Sequence, residues 1–310
     1  MTELQGPVAV VCHDAGAANI IIAELQMLPG PWLPVMAGPA AAAWRASGLL
    51  PQGLLTLDQA LPMARSVLTG TGWASNLEHA ARREARHRGL PSVAVMDHWV
   101  NYAARFERDG ERVLPDEIWV TDEDAFAMAS RQFPGVRVDT RRNHYLHAQL
   151  AAISAAAGPE PGRVLYLLEP IRYTWMGLTQ PGEFEALDFL AGHLHLLQET
   201  PGPTMHLRLR PHPSEPPDKY GEWLMAHPHI DVALDNRPTL AQAIAAAEWV
   251  AGCETAALAV ALAAGRKTVA TLPPQAPICR LPQRGLLHLR AFPGASWPAT
   301  SPGPPIHSPT

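Results

Sequence analysis

Two arginines, a histidine and a serine lie close together in the second half of the chain. They belong to LRLRPHPSE, residues 207–215, which follows an alternation typical of a β-strand. Arg208 and Arg210 would lie on one side of that strand, and Arg210, His212 and Ser214 fall where it ends. Arginine makes bidentate contacts with phosphate, while the flanking prolines stiffen the turn. The same pattern fits a proline-rich strand exit whose arginines pair with surface acids.

A second set of candidate residues lies between residues 240 and 273. This region has the sequence LAQAIAAAEWVAGCETAALAVALAAGRKTVATLP, which predicts a helix, a strand, a tight turn, a second helix and a second strand. The turn places Glu254 and Thr255 at a helix N-terminus, where exposed N–H groups and the helix dipole attract a phosphate. A glutamate there can accept hydrogen bonds from ribose hydroxyls. Capping of the helix is the alternative role for both residues.

The first half of the chain also carries polar residues after strand-like segments. The loop CHDAGAANI, residues 12–20, contains His13 and Asp14, and its small residues let a helix N-terminus approach a ligand closely. Asp14 fits equally well as the cap of that helix. The glycines of TGTGW, residues 69–73, match neither a Walker nor a Rossmann motif, so we predict a simple tight turn.

A third polar loop of the first half is DHWVNYAARF, residues 97–106. Aromatic rings beside hydrogen-bonding groups suit a sugar, because rings pack on its C–H faces while polar groups bind its hydroxyls. Trp99 and Tyr102 fit equally well in a core or an interface. Asp97 and Asn101 are harder to explain by packing.

These residues need elements that bring them together, and both halves of the chain alternate strand-like and helix-like segments. SNLEHAARREARHRG predicts a helix capped by Ser75, with Glu78 three residues later and Gly89 after its basic end. GPEPG, residues 158–162, reads as a linker, after which the alternation restarts. We therefore predict two α/β domains with parallel sheets, and ligand-binding residues just beyond the carboxyl ends of strands.

Composition excludes several classes of protein. The chain has 310 residues, 47% hydrophobic and 17% charged, and a net charge of −5, which suits a globular protein without the basic surface of a nucleic-acid binder. We expect a cytoplasmic protein, because no apolar run is long enough to span a membrane and the N-terminus lacks a signal-peptide pattern. The three cysteines have no close spacing, which predicts reduced thiols.

Neither a metal nor a cofactor is predicted. Residues 122–124, DED, match the Asp-x-Asp pattern by which GT-A glycosyltransferases bind a metal. Here they open a helix after a strand, where acidic residues favour the dipole, so we predict capping. The fourteen histidines show no HExxH spacing.

Two of these motifs resemble those of a known class of enzyme. The 240–273 pattern is similar to the nucleotide-binding half of GT-B glycosyltransferases, and RPHP, residues 210–213, resembles the histidine–proline motif of bacterial sialyltransferases and polysialyltransferases. In those families that motif contacts the phosphate of the CMP-sugar. The resemblance covers most of residues 164–275. The chain departs from those sialyltransferases at Glu254 and Thr255, where they carry a serine pair.

The resemblance implies a GT-B-like protein of two Rossmann-like parallel-sheet domains with an interdomain cleft. We expect an acceptor and catalytic-base domain at residues 1–157, a nucleotide-sugar-binding domain at 158–292 and a disordered proline-rich tail at 293–310. The donor-binding candidates are Arg210, His212, Ser214, Glu254, Thr255, Glu169 and Tyr173, with Arg172 in the same loop as the last two. The acceptor-binding candidates are Trp99, Asn101, Tyr102 and Arg105. Asp14 is the favoured base, and His13 and Asp97 are the other catalytic candidates.

The implied activity is transfer of a sugar from a nucleotide donor to a glycan or glycoconjugate acceptor in polysaccharide biosynthesis. Transfer would invert the anomeric carbon and need no metal, and the first donor to test is a CMP-activated nonulosonic acid. Two alternatives stay open: an epimerase or hydrolase of the UDP-N-acetylglucosamine epimerase type, and a non-catalytic nucleotide-sugar-binding protein. Peripheral association with a membrane also stays open.

Overall fold

The computed structural model describes residues 4–49, 53–72, 75–199 and 202–295. It divides into two compact units, one of Met1–Ala155 with Arg280–Gln283 and one of Ala156–Cys279 with Arg284–Thr310. Most of the predicted tail, residues 296–310, and Trp73 of the TGTGW turn lie outside the described residues. No helix within the described ranges is long and apolar enough to cross a membrane.

The first unit is built on a six-stranded parallel sheet whose order is β2-β1-β3-β4-β7-β8, with a small antiparallel hairpin formed by β5 and β6. Its strands are β1 Val8–Cys12, β2 Trp32–Met36, β3 Ser66–Thr69, β4 Ser92–Val95, β5 Glu107–Arg108, β6 Glu111–Arg112, β7 Glu117–Val120 and β8 Arg137–Thr140. Its helices are α1 Ala15–Leu25, α2 Gly38–Ala46, α3 Leu57–Ala60, α4 Leu77–Arg88, α5 Glu123–Gln132 and α6 His144–Ser154.

The second unit holds another six-stranded parallel sheet, with the order β11-β10-β9-β12-β13-β14. Its strands are β9 Arg163–Leu167, β10 His206–Arg210, β11 Val232–Leu234, β12 Trp249–Gly252, β13 Lys267–Ala270 and β14 Leu287–His288. Its helices are α7 Gly182–His193, α8 Gly221–Ala226, α9 Leu240–Ala246 and α10 Ala256–Ala263.

The central strands are apolar because helices cover both faces of each sheet. All five residues of β1 are buried, and so are all five of β9. Residues of β1 alternate between two core clusters: Val8 and Val10 pack with α1, whereas Ala9 and Val11 pack with α4. The prediction of parallel strands rested on these near-continuous hydrophobic runs. The predicted α/β class with two parallel sheets is confirmed.

Helix α4 begins later than its sequence predicts, so Glu78 does not take part in capping it. The helix starts at Leu77 with Asn76 at the N-cap, and Ser75 Oγ accepts the Leu77 N–H at 3.1 Å. Glu78 therefore does not form the predicted capping box with Ser75, and its side chain is fully buried. The predicted end is confirmed, because Gly89 takes the left-handed conformation at φ 67°.

In each sheet the chain runs outward in both directions from one central strand. In the first unit β1 lies between β2 and β3, and in the second β9 lies between β10 and β12. Loops leaving two neighbouring strands toward opposite faces open a crevice at their carboxyl ends, which is where open α/β sheets bind ligands. The loops after β1, β3, β4, β9, β10 and β12 are therefore the places to look for a site.

The three cysteines, Cys12, Cys253 and Cys279, are free thiols and all are buried. Cys12 ends β1 and Cys253 directly follows β12. Burial disfavours the thiolate and so raises the pKa of Cys12 and Cys253 well above its ordinary value.

Candidate functional site

The loop after β1 holds a hydrogen-bonded histidine–aspartate pair. His13 Nδ1 lies 2.8 Å from Asp14 Oδ1, and both side chains are partly exposed. Asp14 occupies the N-cap position of α1 but makes no side-chain cap bond, so its carboxylate is directed to His13 instead. The capping role that the sequence left open for Asp14 is therefore not the one the structure shows.

Two glycines make room for this pair. A Cβ at Gly38 would lie 2.6 Å from His13 Nε2, and Gly38 has a φ of 49° that disfavours other residues. A Cβ at Gly72, in the loop after β3, would collide with Asp14 Oδ2. The imidazole and the carboxylate thus lie against backbone, which restricts how far either can move.

The loop after β4 brings Asp97 to the same end of α1. A Cβ at Gly16 would overlap Asp97 Oδ2, so this carboxylate lies against the first turn of the helix. Its other oxygen, Oδ1, accepts a hydrogen bond of 2.8 Å from Arg105 Nη1. Asp14 and Asp97 were predicted as catalytic candidates from separate loops, and the fold places both at the start of α1.

Arg105 is buried and holds this part of the unit together. Its guanidinium also donates to the carbonyl and hydroxyl oxygens of Thr71 and to the carbonyl of Val100. The ion pair with Asp97 is buried, with side-chain exposures of 7% and 13%. Arg105 was predicted to bind an acceptor; in the structure its guanidinium donates hydrogen bonds to Asp97, to Thr71 and to the Val100 carbonyl.

The remaining acceptor candidates lie in the same loop, in different environments. Trp99 donates through Nε1 to both carboxylate oxygens of Asp122, which also caps α5 as predicted for the DED stretch. Tyr102 is buried in the core, and burial raises the pKa of its hydroxyl. Asn101 has a φ of 60°, and its side-chain oxygen accepts a hydrogen bond from Arg280. Of these three residues, Asn101 is the one whose side chain is hydrogen-bonded to an exposed residue, Arg280.

Glu78 is a residue of this group that the sequence assigned to helix capping. Its Oε1 accepts a hydrogen bond of 2.8 Å from the backbone N–H of His13. Its Oε2 is buried and has no hydrogen-bond partner among the described residues. Burial is the largest cause that raises the pKa of Glu78, and the negative charge of Asp14 adds to it.

In the second unit Glu169 connects two loops that leave neighbouring strands. It follows β9, and one of its carboxylate oxygens accepts the backbone N–H groups of Cys253 and Glu254 at 2.8 and 2.9 Å. Thr255 contributes a further backbone N–H. Burial outweighs these bonds and raises the pKa of Glu169 to about 7. An internal carboxyl group thus occupies the N–H groups at the start of α10, where the sequence predicts a phosphate.

The turn after β10 presents His212 and Ser214 as a pair. His212 Nδ1 lies 2.7 Å from Ser214 Oγ and also accepts the Ser214 backbone N–H at 3.2 Å. Because Nδ1 acts as an acceptor, the neutral imidazole carries its proton on Nε2. The two residues predicted to bind a phosphate are therefore adjacent, with the Ser214 hydroxyl directed to Nδ1 and the His212 donor at Nε2.

The arginines of β10 are paired with acids. Arg210 donates to the fully buried carboxylate of Asp235 at 2.7 Å and to the Arg237 carbonyl. Arg208 pairs with Asp231 at 2.9 Å. This is the alternative that the sequence left open for these residues, and a ligand phosphate at Arg210 would compete with Asp235.

A second carboxylate joins the loops after β9 and β10. Glu215, whose side chain is fully buried, pairs with Arg172 and with Lys219, each at 2.6 Å. These cations hold the pKa of Glu215 below its ordinary value. Tyr173, next to Arg172, is exposed and packs edge-on against Trp175. Tyr173 therefore has an exposed ring in the same loop as Glu169.

The last two donor candidates flank the start of α10. Thr255 caps the helix, its hydroxyl accepting the Ala257 N–H at 3.3 Å. Glu254 is partly buried beside it. Among the residues that the structure describes, no group of three or more His, Cys, Asp or Glu side chains could hold a metal ion.

The roles of Glu78 and Asp235 in these loops were not predicted from the sequence, because no local pattern indicates them. Glu78 bonds to a residue 65 positions away, and Asp235 accepts hydrogen bonds from Arg163 and Arg210, which lie on other strands. Both contacts exist because the parallel sheets bring distant loops to one edge.

Comparison with known proteins places the fold. No protein-family model matches the chain, and no curated protein matches it. A UDP-GlcNAc 2-epimerase from Neisseria meningitidis, solved with UDP-GlcNAc bound, matches with a TM-score of 0.57 at 11% identity, over 87% of this chain and 83% of that one. A UDP-N-acetylglucosamine 2-epimerase from Rickettsia bellii matches with a TM-score of 0.54 at 11% identity, over 84% and 78%.

A glycosyltransferase gives a weaker match. The ADP-heptose LPS heptosyltransferase II of E. coli matches with a TM-score of 0.42 at 10% identity, over 91% of this chain and 89% of that one. The chain has a GT-B fold. At these identities the likeness to the two epimerases shows the fold, and the function has to be argued from the side chains.

Proposed function

We propose that this GT-B protein acts on a nucleotide-activated sugar and transfers the sugar to a hydroxyl group of a glycan or glycoconjugate acceptor. The observation that carries the proposal is the His13–Asp14 pair at the carboxyl end of β1. A glycosyl transfer needs a group that removes the acceptor proton while the oxygen attacks the anomeric carbon. A carboxylate held by an imidazole between two glycines is suited to that task.

Asp14 is the proposed base, and His13 orients it. With Oδ1 hydrogen-bonded to the imidazole, Asp14 Oδ2 is the oxygen that takes the proton. Attack of the acceptor oxygen from the face opposite the leaving phosphate forms the new C–O bond as the bond to phosphate breaks. The configuration at the anomeric carbon is then inverted. Asp97, held by Arg105, is a second carboxylate available to bind sugar hydroxyls.

The second unit is proposed to bind the donor nucleotide. His212 supplies an N–H donor to the phosphate through Nε2, Ser214 holds the imidazole in that orientation, and the N–H groups at the start of α10 supply further donors. A phosphate at α10 would have to replace the carboxyl group of Glu169. The pKa of about 7 favours that exchange, because near neutral pH the group can leave as an uncharged acid. His212, together with Arg210 once a phosphate replaces Asp235 as its partner, would bind the single phosphate of a CMP-sugar without a metal.

The donor prediction can be tested by thermal shift with CMP, CDP, UDP, GDP and ADP. A nucleotide at about 100 times its Kd should stabilise the protein by about 2.7 kcal/mol. We expect CMP to give the shift and His212→Ala to abolish it. The exposed His147 lies on α6 of the other unit, so His147→Ala is the matched control that should keep the shift. A shift with UDP alone would contradict the CMP prediction, and no shift with any nucleotide would contradict the proposed function.

A second candidate function is epimerisation of a nucleotide sugar. Two observations favour it: the likeness to UDP-GlcNAc 2-epimerases, at TM-scores of 0.57 and 0.54, and the three carboxyl groups of Asp14, Asp97 and Glu78 around the start of α1. Inversion of a carbon that carries hydrogen requires a base on one face and an acid on the other. Carboxyl groups in different environments can divide those roles.

Product analysis without an acceptor separates the two functions. An epimerase converts UDP-GlcNAc alone and, in D2O, places deuterium at the carbon that it inverts. A transferase leaves that carbon unlabelled and consumes donor only when a glycan hydroxyl is present. Asp14→Asn should lower turnover by at least about 100-fold in either case, since general base catalysis contributes that much. Nucleotide binding without turnover in any reaction would indicate a binding protein.

A further inference from the structure

Glu78 is an unusual residue to find buried beneath the His13 loop. Its side chain has no exposed surface, and it lies at the second position of α4, where an acidic residue would ordinarily face solvent and the helix dipole. A buried carboxyl group is costly unless hydrogen bonds compensate, yet Oε2 has no partner among the described residues. An apolar side chain would fill the same space at lower cost.

Glu78 accepts a hydrogen bond from the main chain of His13. The His13 N–H donates to Oε1 at 2.8 Å, and this bond joins α4 to the loop that carries the His13–Asp14 pair. The fit is close: a Cβ at Gly70 would lie 2.8 Å from Cys12 Sγ and 3.5 Å from Glu78 Oε1. The loop after β3 is therefore pressed against both the glutamate and the end of β1.

The charged and titratable groups around Glu78 come from three elements. Asp14 and His13 lie in the loop after β1, Cys12 lies on that strand, and Arg82 lies one turn further along α4. Arg82 is itself held by Thr69 Oγ1 and by carbonyl oxygens, including those of Gly70 and Val113. Burial raises the pKa of Glu78 and so disfavours a second negative charge beside Asp14.

We propose that Glu78 is a positioning residue for the proposed reaction, and that its hydrogen bond to the His13 N–H fixes the main chain from which the His13–Asp14 pair extends. The proposal rests on the proposed function, because it assumes that this pair removes the acceptor proton. It explains why a carboxyl group with an unsatisfied oxygen is retained in the core: the first oxygen has a task that an apolar side chain cannot perform.

Two substitutions separate this role from simple packing. Glu78→Leu keeps the volume and removes the hydrogen bond, whereas Glu78→Gln keeps an acceptor oxygen in the same place. We expect Glu78→Leu to stay within about 3 °C of the wild-type Tm, because it also removes the unpartnered oxygen. Its kcat should fall by about 10- to 100-fold with little change in the KM of the donor. Glu78→Gln should recover most of the lost kcat.

A matched control is available in the second unit. Glu185 on α7 is also buried and accepts a backbone N–H, that of Gln180, at 3.0 Å. Glu185→Leu removes the same type of bond at a place with no proposed role, so its kcat should stay at the wild-type value. Amide hydrogen exchange at His13 gives an independent measurement: the exchange rate should rise in Glu78→Leu and not in Glu78→Gln or Glu185→Leu.

Each outcome decides one question. Loss of kcat and of His13 amide protection in Glu78→Leu, with Tm retained and recovery by Glu78→Gln, supports the positioning role. Wild-type kcat in Glu78→Leu overturns it while leaving the proposed function in place. Unchanged His13 protection in Glu78→Leu also overturns it, because the hydrogen bond would not be what holds the loop. If the wild-type protein turns over no nucleotide sugar, the proposed function fails and the positioning role fails with it.

Discussion

Replacing Glu169 by glutamine should change how stability depends on pH. The carboxyl group has its pKa raised to about 7 from an ordinary value of 4.5, because burial disfavours its charge. The folded state therefore binds a proton more tightly than the unfolded state between these two pH values. Stability conferred by the protonated group is complete below about pH 4.5 and is lost as the pH rises through 7. Glutamine cannot ionise, and its side-chain oxygen can accept the same N–H groups.

The expected magnitude follows from the size of the shift. A change of about 2.5 in pKa corresponds to about 3.4 kcal/mol, which we reduce to about 2–3 kcal/mol because Glu169 is partly exposed. Wild type and Glu169→Gln should have similar Tm values at pH 5. At pH 8 the variant should be more stable by that amount, or about 5–10 °C in Tm.

Calorimetry of both proteins from pH 5 to pH 8 measures the difference directly. Titration of every other group is common to the two proteins and cancels in the comparison. A Tm difference that stays constant over this range would refute the reasoning, because it would mean that Glu169 does not change its protonation on unfolding. A difference that grows toward low pH would show that the N–H groups of Cys253 and Glu254 outweigh burial.

Two further predictions concern packing and charge in the first unit. Asp97→Ala leaves the buried Arg105 guanidinium without its ion-pair partner and should cost about 3–5 kcal/mol in the free energy of unfolding. The double variant Asp97→Ala with Arg105→Met should cost less. Equal costs of the single and double variants in denaturant titrations would show that the pair is not coupled. Gly70→Ala should destabilise by about 1–3 kcal/mol, because its Cβ would lie 2.9 Å from the Cβ of Ala17. In contrast, Gly192→Ala should stabilise the protein by about 0.5–1 kcal/mol, because Gly192 lies in helix α7 with open space around it. An equal effect of the two changes on Tm would contradict the expected difference between a crowded and an open glycine.

The sequence predicted the α/β class because buried parallel strands leave an unmistakable local pattern. β1 and β9 are short apolar runs, and each is followed by a loop and then, directly or after a longer connection, by a helix. The hairpin of β5 and β6 was not predicted, since two-residue strands with exposed or half-exposed side chains carry no such pattern. Strand β8 was missed for a related reason: it lies at the edge of its sheet, and none of its residues is fully buried.

For the site, the sequence could select residues but not their partners. Asp14 and Asp97 were chosen because they follow strands, and the sheet does bring both to the start of α1. Which acid accepts from which donor depends on contacts between distant loops. Glu169 reaches Cys253 across 84 positions, and Arg210 pairs with Asp235, which directly follows the neighbouring strand β11. Such bonds follow from strand order, which alternation alone does not specify.

The buried thiols give each unit its own reporter of opening. Cys12 lies at the end of the central strand of the first sheet, and Cys253 lies in the loop that Glu169 holds in the second. With their pKa values raised and their sulfur atoms enclosed, both should react with an alkylating reagent only when the surrounding structure opens. The rate at which each cysteine is alkylated, read by mass spectrometry of its peptide, therefore measures how often its unit opens. A ligand that binds one unit should slow one of these rates and leave the other unchanged.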